Sequence, residues 1–274
     1  MKTMLLLAGL AALQVRAQAQ WLNYPAPGTP RTHDGKPNLA GPAPRARGGK
    51  PDLSGIWEAQ ASPIPELMAL LPGGGNGLGE DIPNKYFIDI LADFKPAEEP
   101  LRSRPTVPFS VTSFRKDDPG INCLPSGMPM LITVPAPFKI VQTPGLIMML
   151  SEGDNTFRQV FTDGRKHPVD PQPSWLGYSV GHWDGDTMVV ETLGLNDRGW
   201  LDASGHKHSE ALRLTERYSR RDFGHMDVQL TLDDPKTFTK PVTVKFTEKL
   251  LPDTDLIESF CSENEADRVH AGFK

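Results

Sequence analysis

Several signatures of common protein classes are absent from the 274-residue chain. After the N-terminal segment no run approaches about 18 apolar residues, so the sequence predicts no integral membrane span. The formal net charge is −5, which gives no basic excess of the kind that binds nucleic acid. No Lys/Arg-rich amphipathic segment predicts a membrane-surface helix. The G-x-S-x-G, Walker A and G-x-G-x-x-G motifs are also missing.

Cysteine is scarce, with only Cys123 and Cys261 in the whole chain. Residues 1–19 combine an early lysine, an apolar run from Met4 to Leu13 and a small-residue site at 17–19, which predicts a cleaved secretory signal. Export to the periplasm or to the extracellular space places the two cysteines in an oxidising compartment. A disulfide between them is therefore favoured, and two buried free thiols are the alternative.

Proline and glycine are abundant, with 27 and 25 copies. They crowd residues 20–50, which have no apolar periodicity and are predicted to form an extended arm or linker. Such an arm is either disordered or wraps a partner subunit, so a homo-oligomer through the arm is one candidate assembly. Residues 51–274 are predicted to form a single domain. Its insertion at 63–135 carries two helical signals, IPELMALL and PNKYFIDILADF.

Strand candidates separated by turn signals follow this insertion. Alternating runs such as FKIVQT, LIMMLSE, TMVVETLG and HMDVQLTLDD, together with Ile56–Trp57, give about eight or nine strands. No long helix interrupts them as a βαβ unit requires. Closure of an up-and-down antiparallel sheet into an all-β barrel removes its exposed edges, so we predict such a barrel. The interior of a barrel of this size can hold one small ligand.

Two resemblances accompany this pattern. The segment LSGIW, with Gly55 and Trp57, resembles the Gly-x-Trp start of the lipocalins, whose tryptophan plugs the closed end of the barrel. Segments such as CLPSGMPM, YSVGHWDGDTMVVETLGLND and FCSENEADRVH resemble uncharacterised exported proteins of soil bacteria, especially acidobacteria. The second resemblance covers most of Gly55–His270 and supplies context but no reaction. Met130 stands where that family usually has an arginine, so any ligand contact of that arginine is in doubt here.

The segment GHKHSE carries three polar residues at alternate positions, His206, His208 and Glu210. On an extended strand they share one face, where two imidazoles and a carboxylate can ligate one divalent transition metal ion. Alternative ligands from neighbouring strands are Glu216, Asp227 and His225. The competing interpretation is a loop over 205–209 without a metal, after which Glu210 begins a strand.

The segment LRLTERYSR places Leu212, Leu214, Glu216 and Tyr218 on one strand face. If that face is inward, Glu216 is a carboxyl group in an apolar cavity, where loss of solvation suits it to acid–base catalysis. The alternative is a buried ion pair with an arginine such as Arg158. Glu210 is the second candidate catalytic carboxylate. A register slip of one residue would exchange the inward and outward faces.

Two further clusters are candidates for contacts with a ligand. The segment RQVFTDGRKHPVDPQPSW could rim the barrel mouth, or could be a turn in which Arg165 pairs with a carboxylate. The segment GLNDRGWLD supplies Asp and Asn residues that could ligate a metal, orient a histidine by accepting its second ring proton, or only cap a turn. The predicted ligand contacts are Trp57, Asp163, Arg165, His167, Trp175, Trp183 and Trp200.

Three functions are consistent with these patterns. The first is an exported lipocalin-like barrel that binds a small, partly apolar ligand beneath a polar rim of His, Asp, Glu, Arg and Trp. The second is a metal-assisted hydrolytic or oxidative enzyme, with His206 and His208 at the metal and Glu210 or Glu216 as ligand or general base. The third is a structural or surface-interaction protein whose histidines have no role.

Overall fold

The structure is a computed structural model that describes residues 24–71, 83–103, 118–153 and 155–261. The predicted signal at 1–19 lies outside the described residues, as does the start of the arm. Nine strands form one closed barrel in chain order, and β9 pairs with β1. This confirms the predicted all-β barrel. The strands are β1 Gly55–Ala59, β2 Phe138–Thr143, β3 Leu146–Ser151, β4 Phe157–Phe161, β5 Tyr178–Asp184, β6 Thr187–Leu193, β7 Arg213–Arg220, β8 His225–Asp233 and β9 Val242–Leu250.

Helices are short and lie between β1 and β2. They are α1 Ile64–Leu70, α2 Lys85–Ile88 and the 3₁₀ turns Gly120–Asn122 and Met130–Ile132. The apolar spacing of PNKYFIDILADF suggests a longer helix than α2. It stops because side chains take the next backbone N–H groups: Ile90 N donates to Asp202 Oδ2 at 2.7 Å, and Leu91 N to Asp89 Oδ1 at 2.8 Å. Among the described residues, no helix has the length and apolar character needed to cross a membrane.

One pair of strands departs from the expected antiparallel order. The β4–β5 pair is parallel, with Val160 opposite Ser179 and Phe161 opposite Val180. All other neighbouring pairs are antiparallel, so the barrel is mixed. Residues 162–177 must therefore carry the chain back from one end of the barrel to the other. This is the shortest pairing between neighbouring strands of the barrel, and we call it the parallel seam.

Alternate residues of each strand point into the barrel and are buried. In β7 the inward residues are Leu214, Glu216, Tyr218 and Arg220, so the leucine-bearing face is the inward one. Inward apolar residues of eight strands join one hydrophobic cluster, which includes Trp57, Met149, Met188 and Met226, and Trp183 of β5 packs against it. The barrel interior is therefore a packed core along most of its length.

Trp57 is buried near the end of the barrel at which β1 begins, which the arm covers and which we call the closed end. Its side chain is fully buried, and its Nε1 donates to the carbonyl of Leu53 at 2.9 Å. The guanidinium of Arg220 lies over the indole, 4.8 Å from the ring centroid. Arg220 also donates to the carbonyls of Asp52, Ser54 and Phe223, so main-chain oxygens hold this cation in place.

The described part of the arm packs against its own barrel. Arg31 donates to both carboxylate oxygens of Asp253, at 3.0 and 2.6 Å. Gly224 N donates to the carbonyl of Leu39 at 2.8 Å, and a Cβ at Gly224 would lie only 2.5 Å from Leu39. The arm thus adds a layer over the closed end. A homo-oligomer through the arm stays a prediction.

A disulfide joins Cys123 to Cys261, with 5.6 Å between the Cα atoms. It confirms the predicted bridge and fixes the segment after β9 to the segment before β2. Near this bridge, Asn155 also binds the tail, because its side-chain amide donates to the carbonyl of Ser259. A disulfide is typical of oxidising compartments and is consistent with the predicted export.

Candidate functional site

A buried ion pair spans the barrel interior between β4 and β7. Arg158 and Glu216 are 1% and 0% exposed, and two parallel hydrogen bonds join the guanidinium to the carboxylate. Nη1 donates to Oε1 at 2.9 Å, and Nη2 donates to Oε2. This arrangement confirms the ion pair that was one of the two interpretations of Glu216. It is the bidentate geometry that makes such pairs strong and specific.

Hydroxyl groups complete this network. Tyr218 donates its hydroxyl proton to Glu216 Oε1 at 2.6 Å, and burial raises the pKa of Tyr218 well above its ordinary value. Arg158 donates to Thr192 Oγ1 at 2.7 Å and from Nε to Ser179 Oγ at 3.0 Å. Both oxygens of Glu216 are therefore occupied. A general base needs a free lone pair facing a substrate, so this geometry does not suit Glu216 to the predicted catalytic role.

A second carboxyl group lies inside the same barrel and has no such support. Glu248 in β9 is fully buried, and neither of its oxygens has a hydrogen-bond partner within the described part of the chain. Burial, with a smaller effect from the nearby charge of Glu58, raises the pKa of Glu248 well above 4.5. Glu248 was not among the residues predicted from the sequence. Its signal is its place in VTVKFTEKL, where every second residue is otherwise apolar and inward.

The histidine segment is a loop, because β7 begins only at Arg213. His206 is buried, and its Nδ1 lies 2.7 Å from Asp202 Oδ2 and 3.8 Å from Asp89 Oδ1. Its backbone N–H donates to Asp202 Oδ1 at 3.1 Å. Asp202 thus has the role predicted for an acidic residue of GLNDRGWLD, which is to contact a histidine ring. Asp89 comes from the insertion and was not among the residues predicted from the sequence.

His208 and Glu210 lie apart from this group. His208 is buried with its Nδ1 3.1 Å from the carbonyl of Ser209, and burial lowers the pKa of His208. Glu210 is exposed in a turn. Over the described ranges, the ligand atoms of three or more candidate residues come within 4.8 Å of one another only in Asp89, Asp202 and His206. The shared strand face does not form, because Asp234 accepts from Ser209 N and Oγ and holds this segment in a loop.

A cleft opens at the seam between β4 and β5 and has a volume of about 450 Å³. We call it the β4–β5 cleft. Its lining residues are Pro125, Asn155, Thr156, Phe157, Arg158, Gln159, Phe161, Ser174, Trp175, Leu176, Gly177 and Tyr178. Gly177 has a φ of 63°, and a Cβ there would lie 2.7 Å from the carbonyl oxygen of Leu193, so this turn requires glycine. The cleft exists because the two strands diverge above their short parallel pairing.

Aromatic side chains dominate this cleft. Phe157 points outward from β4 and is 59% exposed, while the rings of Phe161 and Tyr178 lie 5.1 Å apart. The guanidinium of Arg198 lies 4.7 Å from the ring of Trp175. Thr156 Oγ1 is buried without a hydrogen-bond partner among the described residues. The cleft thus combines apolar ring faces with an uncommitted hydroxyl group.

The predicted ligand contacts fall into three places. Trp175 lines the cleft. Asp163, Arg165 and His167 border it: Arg165 pairs with Asp163 at 2.6 Å and lies 3.8 Å from the Phe161 ring, and His167 meets Tyr178 edge-on at 6.2 Å. Trp57 and Trp200 are buried in the fold, and Trp183 packs partly buried against the core. The cleft residues of β4 were missed, although FRQVF shows phenylalanines on the face opposite Arg158 and Val160.

Comparisons with protein-family models, with curated proteins and with solved structures found no match. The resemblances to lipocalins and to exported soil-bacterial proteins therefore stay predictions. Function has to be argued from the sites themselves.

Proposed function

We propose that the protein binds a small, uncharged, partly apolar ligand in the β4–β5 cleft. The observation that carries this proposal is the set of four aromatic side chains, Phe157, Phe161, Trp175 and Tyr178, around about 450 Å³ of open space. Pockets for small molecules have volumes of about 300–1,000 Å³ and are mostly apolar, with a few polar groups that orient the ligand.

The polar groups of the cleft favour an uncharged ligand. Of the described residues in its lining, Arg158 is the one with a charged side chain, and Glu216 neutralises that cation on the inner side of the barrel. The other polar groups include the amide of Gln159 and hydroxyl groups such as that of Ser174, while the amide of Asn155 is already bound to Ser259. These groups offer hydrogen bonds without net charge, while the aromatic faces favour a flat or ring-shaped apolar partner.

Two other locations are less suitable for a ligand. The inward-facing apolar residues fill the interior with one packed cluster. A cleft of about 490 Å³ lies at the closed end, but its charged residues are already engaged: Asp253 pairs with Arg31, Asp255 with Lys139, and Arg220 with carbonyl oxygens. Its hydrogen bonds fasten the arm and the tail of the same chain. We therefore place the ligand at the rim rather than in the centre of the barrel.

Phe157 provides the sharpest test. It is a large apolar side chain that remains mostly in solvent, and a ligand in the cleft would cover its ring. Covering a phenylalanine contributes about 1.5–3 kcal/mol, or about 10–100-fold in affinity. Phe157→Ala should leave the fold intact, because the side chain contributes little buried area to the barrel.

The experiment is a fluorescence titration of the protein with Nile red, a neutral aromatic dye. We expect saturable binding of one dye per chain, with affinity at least about 10-fold weaker in Phe157→Ala. The control is Val141→Ala, which removes an apolar side chain that is 37% exposed on β2, away from the cleft. Binding that does not saturate, or equal affinities in the wild type and Phe157→Ala, would contradict the proposal.

A further inference from the structure

The strongest unassigned group of side chains lies where the insertion meets the connection between β6 and β7. Asp89 follows α2, while Asp202 and His206 belong to the connection. Backbone hydrogen bonds hold the two segments together, from Ala203 N to the carbonyl of Phe87 at 2.8 Å and from Ser204 N to that of Ile88 at 3.0 Å. The three side chains are therefore presented by a fixed pair of segments rather than by one flexible loop.

The geometry of the group suits a small cation. His206 Nδ1 lies 2.7 Å from Asp202 Oδ2 and 3.8 Å from Asp89 Oδ1, and all three ligand atoms lie within 4.8 Å of one another. The side chains of Asp202, His206 and Asp89 are 0%, 9% and 24% exposed. The group thus reaches solvent mainly through Asp89, while Asp202 is fully buried.

The charges of the group are unbalanced. The negative potential of Asp89, Asp202 and Glu99 acts on His206, and even a protonated imidazole would leave a net charge of −2. Among the described residues, three carboxylates (Asp89, Asp202 and Glu99) act on this site, and His206 is the one basic group that acts on Asp89. A divalent cation would offset this excess in a partly desolvated site, where charge is expensive.

We propose that Asp89, Asp202 and His206 bind a divalent transition metal ion, with zinc as the probe of choice. Two carboxylate oxygens and one imidazole nitrogen form a donor set that zinc accepts at a three-ligand site with a position left for water. The ion takes the lone pair of Nδ1, so the ring binds neutral with its proton on Nε2, and a doubly protonated ring releases its Nδ1 proton on binding. This ligand set replaces the predicted row of His206, His208 and Glu210.

The molecule contains a matched control. His225 Nδ1 lies 2.8 Å from Asp222 Oδ1, which is close to the His206–Asp202 distance. No third ligand atom among the described residues joins that pair to form a group. If a histidine with one aspartate were sufficient for metal binding, both pairs would bind zinc.

The experiment is calorimetric titration of the untagged, chelator-treated full chain with Zn²⁺, together with the visible absorption of the Co²⁺ form. We expect one ion per chain. Asp89→Asn should weaken zinc binding by about 100-fold or more, since loss of even an outer-shell partner costs about 10–100-fold. Asparagine keeps an oxygen for the Leu91 N–H, so this variant should fold, which far-UV circular dichroism checks. His225→Gln should bind zinc like the wild type.

Three results would overturn the proposal. They are no zinc binding by the wild-type chain, equal binding by Asp89→Asn, and loss of binding in His208→Gln with retention in Asp89→Asn. The last result would restore the metal row predicted from GHKHSE. None of these readouts involves the β4–β5 cleft, so the dye titration and the metal titration succeed or fail independently.

Discussion

Two carboxyl groups inside the same barrel have opposite surroundings. Glu216 and Glu248 are both fully buried on inward faces of the sheet, in β7 and β9. Glu216 accepts two hydrogen bonds from Arg158 and one from Tyr218, whereas Glu248 accepts none within the described residues. Burial alone therefore does not define the role of an acidic residue. The partners decide whether it is a charged structural link or a neutral acid that costs stability.

The largest expected effect comes from the substitution Glu216→Met. It leaves the Arg158 guanidinium buried without a carboxylate, and breaking such a pair costs about 3–5 kcal/mol of unfolding free energy. Urea denaturation measures this loss. The double variant Arg158→Met/Glu216→Met should recover most of it, because no buried charge remains. A double variant as unstable as the single one would show that the ion pair stabilises the fold by more than the cost of burying its two charges.

The same substitution at the other site, Glu248→Met, should act in the opposite direction. It removes a buried carboxyl group without partners, so we expect a gain of about 1–3 kcal/mol in unfolding free energy. The comparison with Glu216→Met in one denaturation series controls for the change in side-chain shape. A loss of stability at Glu248 would show that this carboxyl group has a partner in the folded protein in solution.

The pH dependence of stability distinguishes the two groups further. The pKa of Glu248 is raised in the folded state, so the folded chain holds this proton more tightly than the unfolded chain. The proton on Glu248 makes its full contribution to the unfolding free energy below about pH 4.5. This contribution declines as the pH rises toward the folded pKa, by about 1.4 kcal/mol per pH unit. The difference in unfolding free energy between the wild type and Glu248→Gln should therefore fall with rising pH. A constant difference would contradict a protonated Glu248.

The sequence was informative where a local pattern determines the structure. Alternation in segments such as HMDVQLTLDD predicted the strands, and an ion pair with an arginine such as Arg158 was one of the two interpretations of Glu216. The disulfide followed from two cysteines in a chain with a predicted secretory signal. Each of these predictions uses either the two-residue alternation of side chains along a strand or the oxidising chemistry of the predicted compartment.

Other features depend on contacts that no local pattern encodes. Turn residues mark where β4 ends but do not give the direction of the next strand, so the parallel seam and its cleft were not predicted. Asp89 is separated from Asp202 by more than a hundred residues, and only the docking of the insertion brings them together. The loop at His206 forms because Asp202 and Asp234 accept backbone N–H groups that a strand would use in pairing.

The disulfide has a consequence for the connectivity of the whole chain. Cys123 precedes β2 and Cys261 follows β9, so eight of the nine strands lie within one covalent ring, and β1 lies outside it. A single cut by a protease anywhere within that ring leaves one molecule rather than two fragments. The barrel closes when β1 pairs with both β2 and β9, which are the first and last strands of the ring. The covalent ring thus holds together the two edges between which β1 must insert.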